Sequence, residues 1–267
     1  MQAVAAPPLG ARQRGRRSAL LTSTTSIRGT RARAWPAWLR PSLADLLLLG
    51  CVLVALWGGS VMLSADGDPA RHLTVGEHIL ASGAIPHADV FSHTMAGQPF
   101  VPYEWLAEVA SALSYRLAGL AGPVLLHGMA IGLSFAVLFR HLRHRGHPVV
   151  LALAVTLLAA MASTLHWLAR PHVFTFLGTA VFSFVLDGWH AGRLRSRWLW
   201  ALAPAMALWA NVHGGFLIGF ILLGAYAGAD ALHLIAGDGE TRSGARRRLA
   251  RLGPPALATL GATLLNP

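Results

Sequence analysis

Six long apolar runs restrict this chain to a membrane-embedded, helical fold. A membrane-spanning helix needs about 20 consecutive, predominantly apolar residues. Runs that approach this length cover residues 43–63, 123–139, 148–165, 173–189, 198–212 and 216–235. Only 12% of the residues are charged and 54% are hydrophobic, a composition that favours a polytopic membrane protein. The predicted fold is therefore all-α, a polytopic membrane helix bundle of six to seven transmembrane helices.

The seventh apolar run begins at Pro254 and stops with the chain at Pro267. It is too short to cross a bilayer comfortably, so the sequence predicts a truncated or incomplete protein. The missing spans are then expected to come from a partner membrane protein.

Arginine supplies every basic side chain, and its distribution predicts the orientation. The chain has 22 arginines and no lysine, which excludes Schiff-base catalysis. Nineteen of these arginines lie in four segments, residues 1–40, 140–147, 193–197 and 242–251. The other three are Arg71, Arg116 and Arg170, in the alternate connections. Because positively charged loops stay cytoplasmic, we predict a multi-pass protein of the bacterial plasma (inner) membrane with its N-terminus in the cytoplasm.

Residues 1–41 are predicted to be a disordered, basic cytoplasmic tail, and residues 42–267 the membrane domain. The first forty residues contain no acid and no apolar run long enough for a signal-peptide core. The same composition also fits an organelle transit peptide, so both interpretations stay open. Nucleic-acid binding is not predicted, because headgroup attraction and topology account for the positive charge.

The orientation depends on a helix over residues 103–117 that is predicted not to cross the membrane. One face of this helix carries Glu104, Glu108, Ser111 and Tyr115. Another face carries Trp105, Val109, Leu113 and Leu117. This pattern is typical of a helix that lies in the membrane interface. Residues 64–118 are thus predicted to form a large first external loop that contains interfacial helices.

This first external loop gathers acids in a chain that has few. Six of the eleven acidic residues lie in it, namely Asp66, Asp68, Glu77, Asp89, Glu104 and Glu108. A solvated polar loop is the plain alternative. The two aspartates come directly after the first span, however, which holds them close to the lipid headgroups. A membrane-face site is therefore the favoured interpretation.

Two other external connections carry polar groups that complement these acids. Residues 166–174 supply Arg170 and His172, and residues 209–216 supply Asn211 and His213. We expect carboxylates from the first loop to meet cations and hydrogen-bond donors from the other two at one membrane face. Few ionisable groups occur in the middle of the spans, which argues against an ion pathway through the bilayer.

The order of several short motifs resembles the integral-membrane glycosyltransferases with the GT-C fold. The motifs of the first loop are Asp68 with a small helix after it, Gly83-Ala-Ile-Pro86, Asp89-Val-Phe-Ser92, Gly97-Gln-Pro99 and Glu104-Trp105-Leu106. The later segments RPHVFT and LWANVHGGF look like motifs of uncharacterised bacterial members related to protein O-mannosyltransferases and aminoarabinose transferases. The resemblance extends from about residue 43 to the end of the chain.

The resemblance implies roles for individual residues. In such enzymes an acid just after the first span is the catalytic base, and the donor is a sugar on a polyprenyl phosphate. Asp68 takes the base position, with Asp66 or Asp89 in support. The expected substrate-binding residues are Arg71, His72, Glu104, Arg170, His172, Asn211 and His213. Arg170 or Arg71 suits the departing phosphate, because a guanidinium matches phosphate oxygens bidentately; an interfacial arginine that contacts headgroups is the alternative for Arg170.

No metal site is predicted, although a divalent cation stays open. Asp66-Gly-Asp68 has the DxD form of nucleotide-sugar enzymes, but nucleotide sugars are cytoplasmic and this loop is predicted outside. His141, His144 and His147 lie among arginines, which disfavour a bound cation. The single cysteine provides neither a disulfide framework nor a CxxC metal site.

The sequence therefore predicts a membrane glycosyltransferase that moves a sugar from a polyprenyl-phosphate donor to an acceptor on the external face, or an inactive or partial remnant of one. The rival interpretation is a non-enzymatic membrane protein, either a transporter half or an envelope-assembly subunit. A transporter should have broken helices and polar residues near the middle of the membrane. Only the Gly214-Gly215 junction suggests such a break.

Overall fold

The computed structural model describes residues 41–267, and this part of the chain is helical without any β-strand. The all-α prediction is thereby confirmed for these residues. The predicted tail of residues 1–41 lies outside the described residues except for its last position. The helices are α1 Leu43–Trp57, α2 Gly59–Ser64, α3 Asp68–Ser82, α4 Trp105–Ala118, α5 Ala121–His144, α6 Val149–Ala162, α7 Val173–His190, α8 Leu202–Val212, α9 Leu217–Ala236 and α10 Gly239–Ala262.

Within residues 41–267, three helical segments are long and apolar enough to cross a membrane, namely Ala121–His144, Val173–His190 and Gly214–Ala236. Helices α1 and α6 are also apolar but shorter. The first predicted span is interrupted, because Gly58 ends α1 before α2 continues to Ser64. The run over 198–212 begins as a 3-10 helix, Ser196–Ala201, before α8 starts. The count of six to seven spans stays a prediction.

Helix α10 differs from the prediction for the end of the chain. Residues 242–251 were expected to be a connection, but they form the first half of a helix that continues through Pro254 and Pro255. Asp238 caps this helix by accepting a hydrogen bond from the Thr241 N–H at 2.9 Å. The many arginines of this segment made it look like a polar connection. Its buried residues nevertheless recur at helical spacing, namely Ala245, Leu252, Pro255 and Thr259.

Contacts between helix ends bring arginines of the 140–147 and 193–197 segments to one end of the bundle. Near the start of α1, Asp45 pairs with Arg140 at the end of α5 at 3.3 Å. Arg145, which follows α5, lies 3.7 Å from Asp187 in the last turn of α7, and Arg193 binds the same carboxylate. The starts of α7 and α9 lie at the other end, beside α3 and α4. This arrangement matches the alternation of arginine-rich and arginine-poor connections.

Helix α4 has the predicted polar face, but that face points inward. Glu108 and Ser111 are 1% and 3% exposed, whereas Leu113 and Leu117 are 45% and 87% exposed. The interfacial position of this helix stays a prediction, but Glu108 and Ser111 on its polar face are buried inside the protein. The polar side instead covers α3, where a Cβ on Gly76 would lie 2.1 Å from the Glu108 carbonyl oxygen. Only glycine allows the two backbones to come this close.

Candidate functional site

The chain turns sharply where α2 meets α3, and this turn presents two carboxylates to one guanidinium. Arg170 forms ion pairs with both Asp66 and Asp68. The connection that carries Arg170 is held to α2 by a hydrogen bond from the Ala169 N–H to the Met62 carbonyl oxygen at 2.9 Å. We call Asp66, Asp68 and Arg170 the arginine clamp. It joins the first loop to the start of α7, as the sequence predicted these connections to meet.

A backbone hydrogen bond stabilises the charged form of the Asp66 carboxylate. Asp66 accepts a hydrogen bond from the Asp68 N–H at 3.1 Å. This bond, together with the Arg170 guanidinium, lowers the pKa of Asp66 below its ordinary value. Asp66 is therefore ionised at neutral pH, and the clamp is a preformed charged group at the end of α2.

A second group of charges lies one turn further along α3. His72 is 2% exposed, and its Nδ1 lies 3.1 Å from an oxygen of the buried Glu108 carboxylate. Arg71 reaches the same oxygen at 3.4 Å and lies 3.8 Å from Asp68. Arg71 also lies 3.8 Å from Glu104, the residue before α4. Arg71 thus connects the clamp to the two glutamates.

His213, between α8 and α9, approaches Glu104 from a third connection. Its Nε2 lies 3.5 Å from a Glu104 oxygen. Its Nδ1 accepts hydrogen bonds from the Thr175 hydroxyl at 2.8 Å and the Gly215 N–H at 3.0 Å. The neutral ring therefore carries its proton on Nε2, facing Glu104. Burial lowers the pKa of His213 to about 4, so the ring is neutral at pH 7.

The clamp together with Arg71, His72, Glu104, Glu108, Thr175 and His213 is called the charged group. His172 and Asn211 lie at its edges. The His172 Nε2–H donates to the His166 carbonyl oxygen at 2.8 Å, and its ring centroid is 6.4 Å from that of His213. Burial lowers the pKa of His172. Asn211 accepts a hydrogen bond from the Trp105 indole at 2.6 Å, which ties the start of α4 to the end of α8. Asn211 therefore positions Glu104 through its chain neighbour Trp105.

Asp89 is not part of the group. Its carboxylate accepts hydrogen bonds from the Ser92 hydroxyl at 2.6 Å and from the N–H groups of Phe91 and Ser92 at 2.8 and 2.9 Å. These bonds, of which the one from the Ser92 side chain is the largest cause, lower the pKa of Asp89. The residue holds the turn of its own loop, an Asx-type arrangement.

Two residues of the group carried no predicted site role. Glu108 was expected on the polar side of an interfacial helix, and Thr175 was read as part of an apolar span. The i, i+4 spacing of Glu104 and Glu108, beside Arg71 and His72 in the same loop, is the signal that could have identified Glu108. Nothing in the local sequence distinguishes Thr175 from a packing threonine.

An apolar cavity of about 450 Å³ lies between α4, α5, α7 and α8, and all of its lining residues are apolar. It borders the charged group. Leu106, two positions after Glu104, forms part of its wall, as does Trp209. The Trp209 indole N–H donates to the Thr175 hydroxyl at 3.3 Å, and that hydroxyl bonds to His213. The Thr175 side chain thus connects Trp209 in the cavity wall to His213, which approaches Glu104.

The charged group is not arranged to hold a metal ion. Within residues 41–267 there is no set of three or more His, Cys, Asp or Glu side chains that could bind one. The Asp66-Gly-Asp68 pair, which has the DxD form, faces the Arg170 guanidinium. A divalent cation would have to displace this cation first.

The chain matches no protein-family model, and no curated protein or solved structure matches it significantly.

Proposed function

We propose that this chain is a membrane glycosyltransferase of the GT-C type, which moves a sugar from a polyprenyl-phosphate donor to an acceptor hydroxyl on the external face. This proposal rests on one observation. The charged group, which contains the arginine clamp, lies beside an apolar cavity. A lipid-linked sugar has the same two parts, a charged, polar head and a long apolar chain. A site for such a substrate needs both environments next to each other.

The reaction requires two kinds of group, and the charged group offers both. The bond between the sugar C1 and the phosphate oxygen breaks, and the phosphate leaves with the electron pair. A bond forms between C1 and the acceptor oxygen, whose proton passes to a carboxylate. A guanidinium stabilises the charge on the departing phosphate. Attack on the side opposite the phosphate inverts the configuration at C1.

Arg170 is the residue best suited to contact the donor phosphate. Its side chain is 32% exposed, and its guanidinium is paired with two carboxylates. Phosphate oxygens present the same bidentate acceptors as these carboxylates, so a donor can exchange for one of them at little geometric cost. Asp66 and Asp68 thus position Arg170 before the donor arrives.

Exchanging Arg170 for alanine should weaken retention of the donor by about 10- to 150-fold, the equivalent of about 1.5–3 kcal/mol for a charged hydrogen bond. The measurement is binding of labelled polyprenyl-phosphate hexoses to the purified chain in lipid nanodiscs. Arg170→Lys, which keeps the charge without the planar fork, should bind with intermediate strength.

The matched control is Arg116→Ala. Arg116 pairs with Glu77 through contacts of 2.6–3.1 Å. Glu77 lies nine residues after Asp68 in α3, about 13 Å further along that helix. This variant should retain the donor like the wild type. If Arg170→Ala binds the donor as strongly as the wild type does, Arg170 is not part of the donor site. A wild-type chain that neither retains nor transfers any donor would favour a non-enzymatic membrane protein.

We also propose six to seven membrane crossings in a bacterial inner membrane, with the arginine-rich helix ends in the cytoplasm and the charged group outside. The grouping of Arg140, Arg145 and Arg193 at one end of the bundle supports this orientation.

Reporter fusions should show this orientation directly. A reporter fused after Arg145 or Arg197 is expected to be cytoplasmic, because both positions lie in arginine-rich connections. A reporter inserted at Gly97, in the first loop, is expected to be external. Alkaline phosphatase activity marks an external position, and fluorescence of green fluorescent protein marks a cytoplasmic one. External activity after Arg145 would overturn the orientation and the location of the site.

A further inference from the structure

The four carboxylates of the charged group have different partners. Asp66 and Asp68 both pair with the Arg170 guanidinium. Glu108 is paired with His72 at 3.1 Å and with Arg71 at 3.4 Å. Each of these three carboxylates therefore already has a cationic or imidazole partner in close contact. These three are therefore suited to holding cations in position.

Glu104 is different, because it is buried without a close partner. Its side chain is 9% exposed. The nearest cationic or imidazole nitrogens are those of His213 at 3.5 Å and of His72 and Arg71 at 3.8 Å each. All three distances exceed the roughly 2.7–3.2 Å of an N–H···O bond. A buried carboxylate normally accepts close hydrogen bonds, so this one has the capacity to receive a hydroxyl from a bound molecule.

The surroundings of Glu104 also suit proton transfer. Burial raises the pKa of Glu104 above its ordinary value, although His72 and Arg71 act in the opposite direction. A carboxylate with a raised pKa accepts a proton more readily once it is ionised. The Nε2–H of His213 faces the same carboxylate and is directed by the Thr175 and Gly215 bonds to the other ring nitrogen.

The position of Glu104 near both the clamp and the cavity suits a reaction between a lipid-linked sugar donor and an acceptor hydroxyl. Arg71 contacts Asp68 of the clamp and approaches Glu104, so a phosphate at Arg170 would lie on the Arg71 side. The wall of the apolar cavity begins two residues after Glu104, at Leu106. An acceptor hydroxyl at Glu104 would thus lie next to the head of a lipid-linked donor.

We propose that Glu104, and not Asp68, is the base that takes the proton of the acceptor hydroxyl, and that His72 and His213 complete the binding site for that hydroxyl. This inference rests on the proposed function. The acceptor O–H proton passes to a Glu104 oxygen while the acceptor oxygen bonds to C1 and the phosphate leaves with its electron pair. The acceptor is an alcohol or sugar hydroxyl, and the proton later passes from Glu104 to water.

The test compares Glu104→Gln with Asp68→Asn in the full chain in nanodiscs that contain labelled polyprenyl-phosphate hexoses. Two quantities are measured for each variant, retention of the donor and its turnover by transfer or hydrolysis. Glu104→Gln should retain the donor within about twofold and lose turnover by at least about 100-fold, the usual effect of general base catalysis. Asp68→Asn should mainly weaken retention, because it loosens Arg170.

The pH profile separates a base from a residue that only shapes the site. Turnover by the wild type should rise with pH as Glu104 ionises, and this rise should lie above the ordinary pKa range of a glutamate. The neighbouring titratable and charged groups are Arg71, His72, Glu108, Arg170 and His213. In Glu104→Gln, turnover should no longer rise with pH in the acidic range. In Glu104→Asp, turnover should be lower than in the wild type but should still rise with pH.

Glu77→Gln is the matched control, because it makes the same chemical change at the Arg116 pair, nine residues after Asp68 in α3. Its retention, turnover and pH profile should equal those of the wild type. Thermal melting of each variant checks that it is folded.

Wild-type turnover by Glu104→Gln, or lost turnover with full retention in Asp68→Asn alone, would overturn the assignment of the base and leave the proposed function intact. A wild-type chain without retention or turnover would overturn both.

Discussion

Gly76→Ala should separate α3 from α4 and disrupt the charged group between them. An added Cβ would lie 2.1 Å from the Glu108 carbonyl oxygen and 2.9 Å from the Ala112 Cβ. The first contact is with backbone, which cannot rotate away, so one helix must shift. Overpacking of this kind costs about 1–3 kcal/mol and more where backbone must move. We expect a clear fall in melting temperature and loss of donor retention, because His72 and Glu108 meet across this interface.

Gly50→Ala is the matched control for this change. Gly50 lies inside α1, and a Cβ there would meet nothing within 4 Å. Replacing a glycine inside a helix by alanine stabilises the helix by about 1 kcal/mol, so this variant should melt at or slightly above the wild-type temperature. Equal melting of Gly76→Ala and wild type would show that α3 and α4 are not in close backbone contact.

The helices were predictable because their apolar runs are long. The runs over 123–139, 173–189 and 216–235 correspond closely to α5, α7 and α9. Such runs can only be helical in a membrane-type sequence, and length alone identifies them. The first run was harder, because Gly58 ends a helix that composition describes as continuous.

The part of the site that could be anticipated came from chain topology. Alternating arginine-poor connections must meet at one end of a bundle, and the structure brings Arg170 and His213 to the acids of the first loop. Which acids would be paired was not predictable. Asp89 has the same side chain as Asp68, but the backbone of its own turn supplies its hydrogen bonds.

The inward polar face of α4 could not be read from periodicity. An amphipathic pattern shows that a helix has two faces but does not identify what covers each face. Here Gly76 lets α3 come so close to α4 that Glu108 is buried between the two helices. The function of this face depends on a long-range contact, between residues more than thirty positions apart in the chain.

Arg248→Met should strongly destabilise the protein, because it leaves a buried carboxylate without its cation. Asp230 in α9 is fully buried, and one of its oxygens accepts a hydrogen bond from the Arg248 Nε at 2.8 Å. The Arg248 Nη2 lies 2.6 Å from the same oxygen. His190, at 3.5 Å, is a weaker neighbour. Removing one partner of a buried ion pair costs about 3–5 kcal/mol. Thermal melting in detergent should show the loss directly, and a wild-type melting temperature would contradict it.

The double variant Asp230→Leu/Arg248→Met separates the cost of an unpaired charge from the value of the pair. Replacing a buried pair by apolar side chains is often neutral or stabilising, so the double variant should recover most of the lost stability. Asp230 lies 13 residues after the start of α9, about 20 Å along the helix from the His213 end. Donor retention in the double variant should therefore equal that of the wild type, since the charges near Glu104 are unchanged. Retention lost despite recovered stability would mean that the two ends of the bundle are coupled.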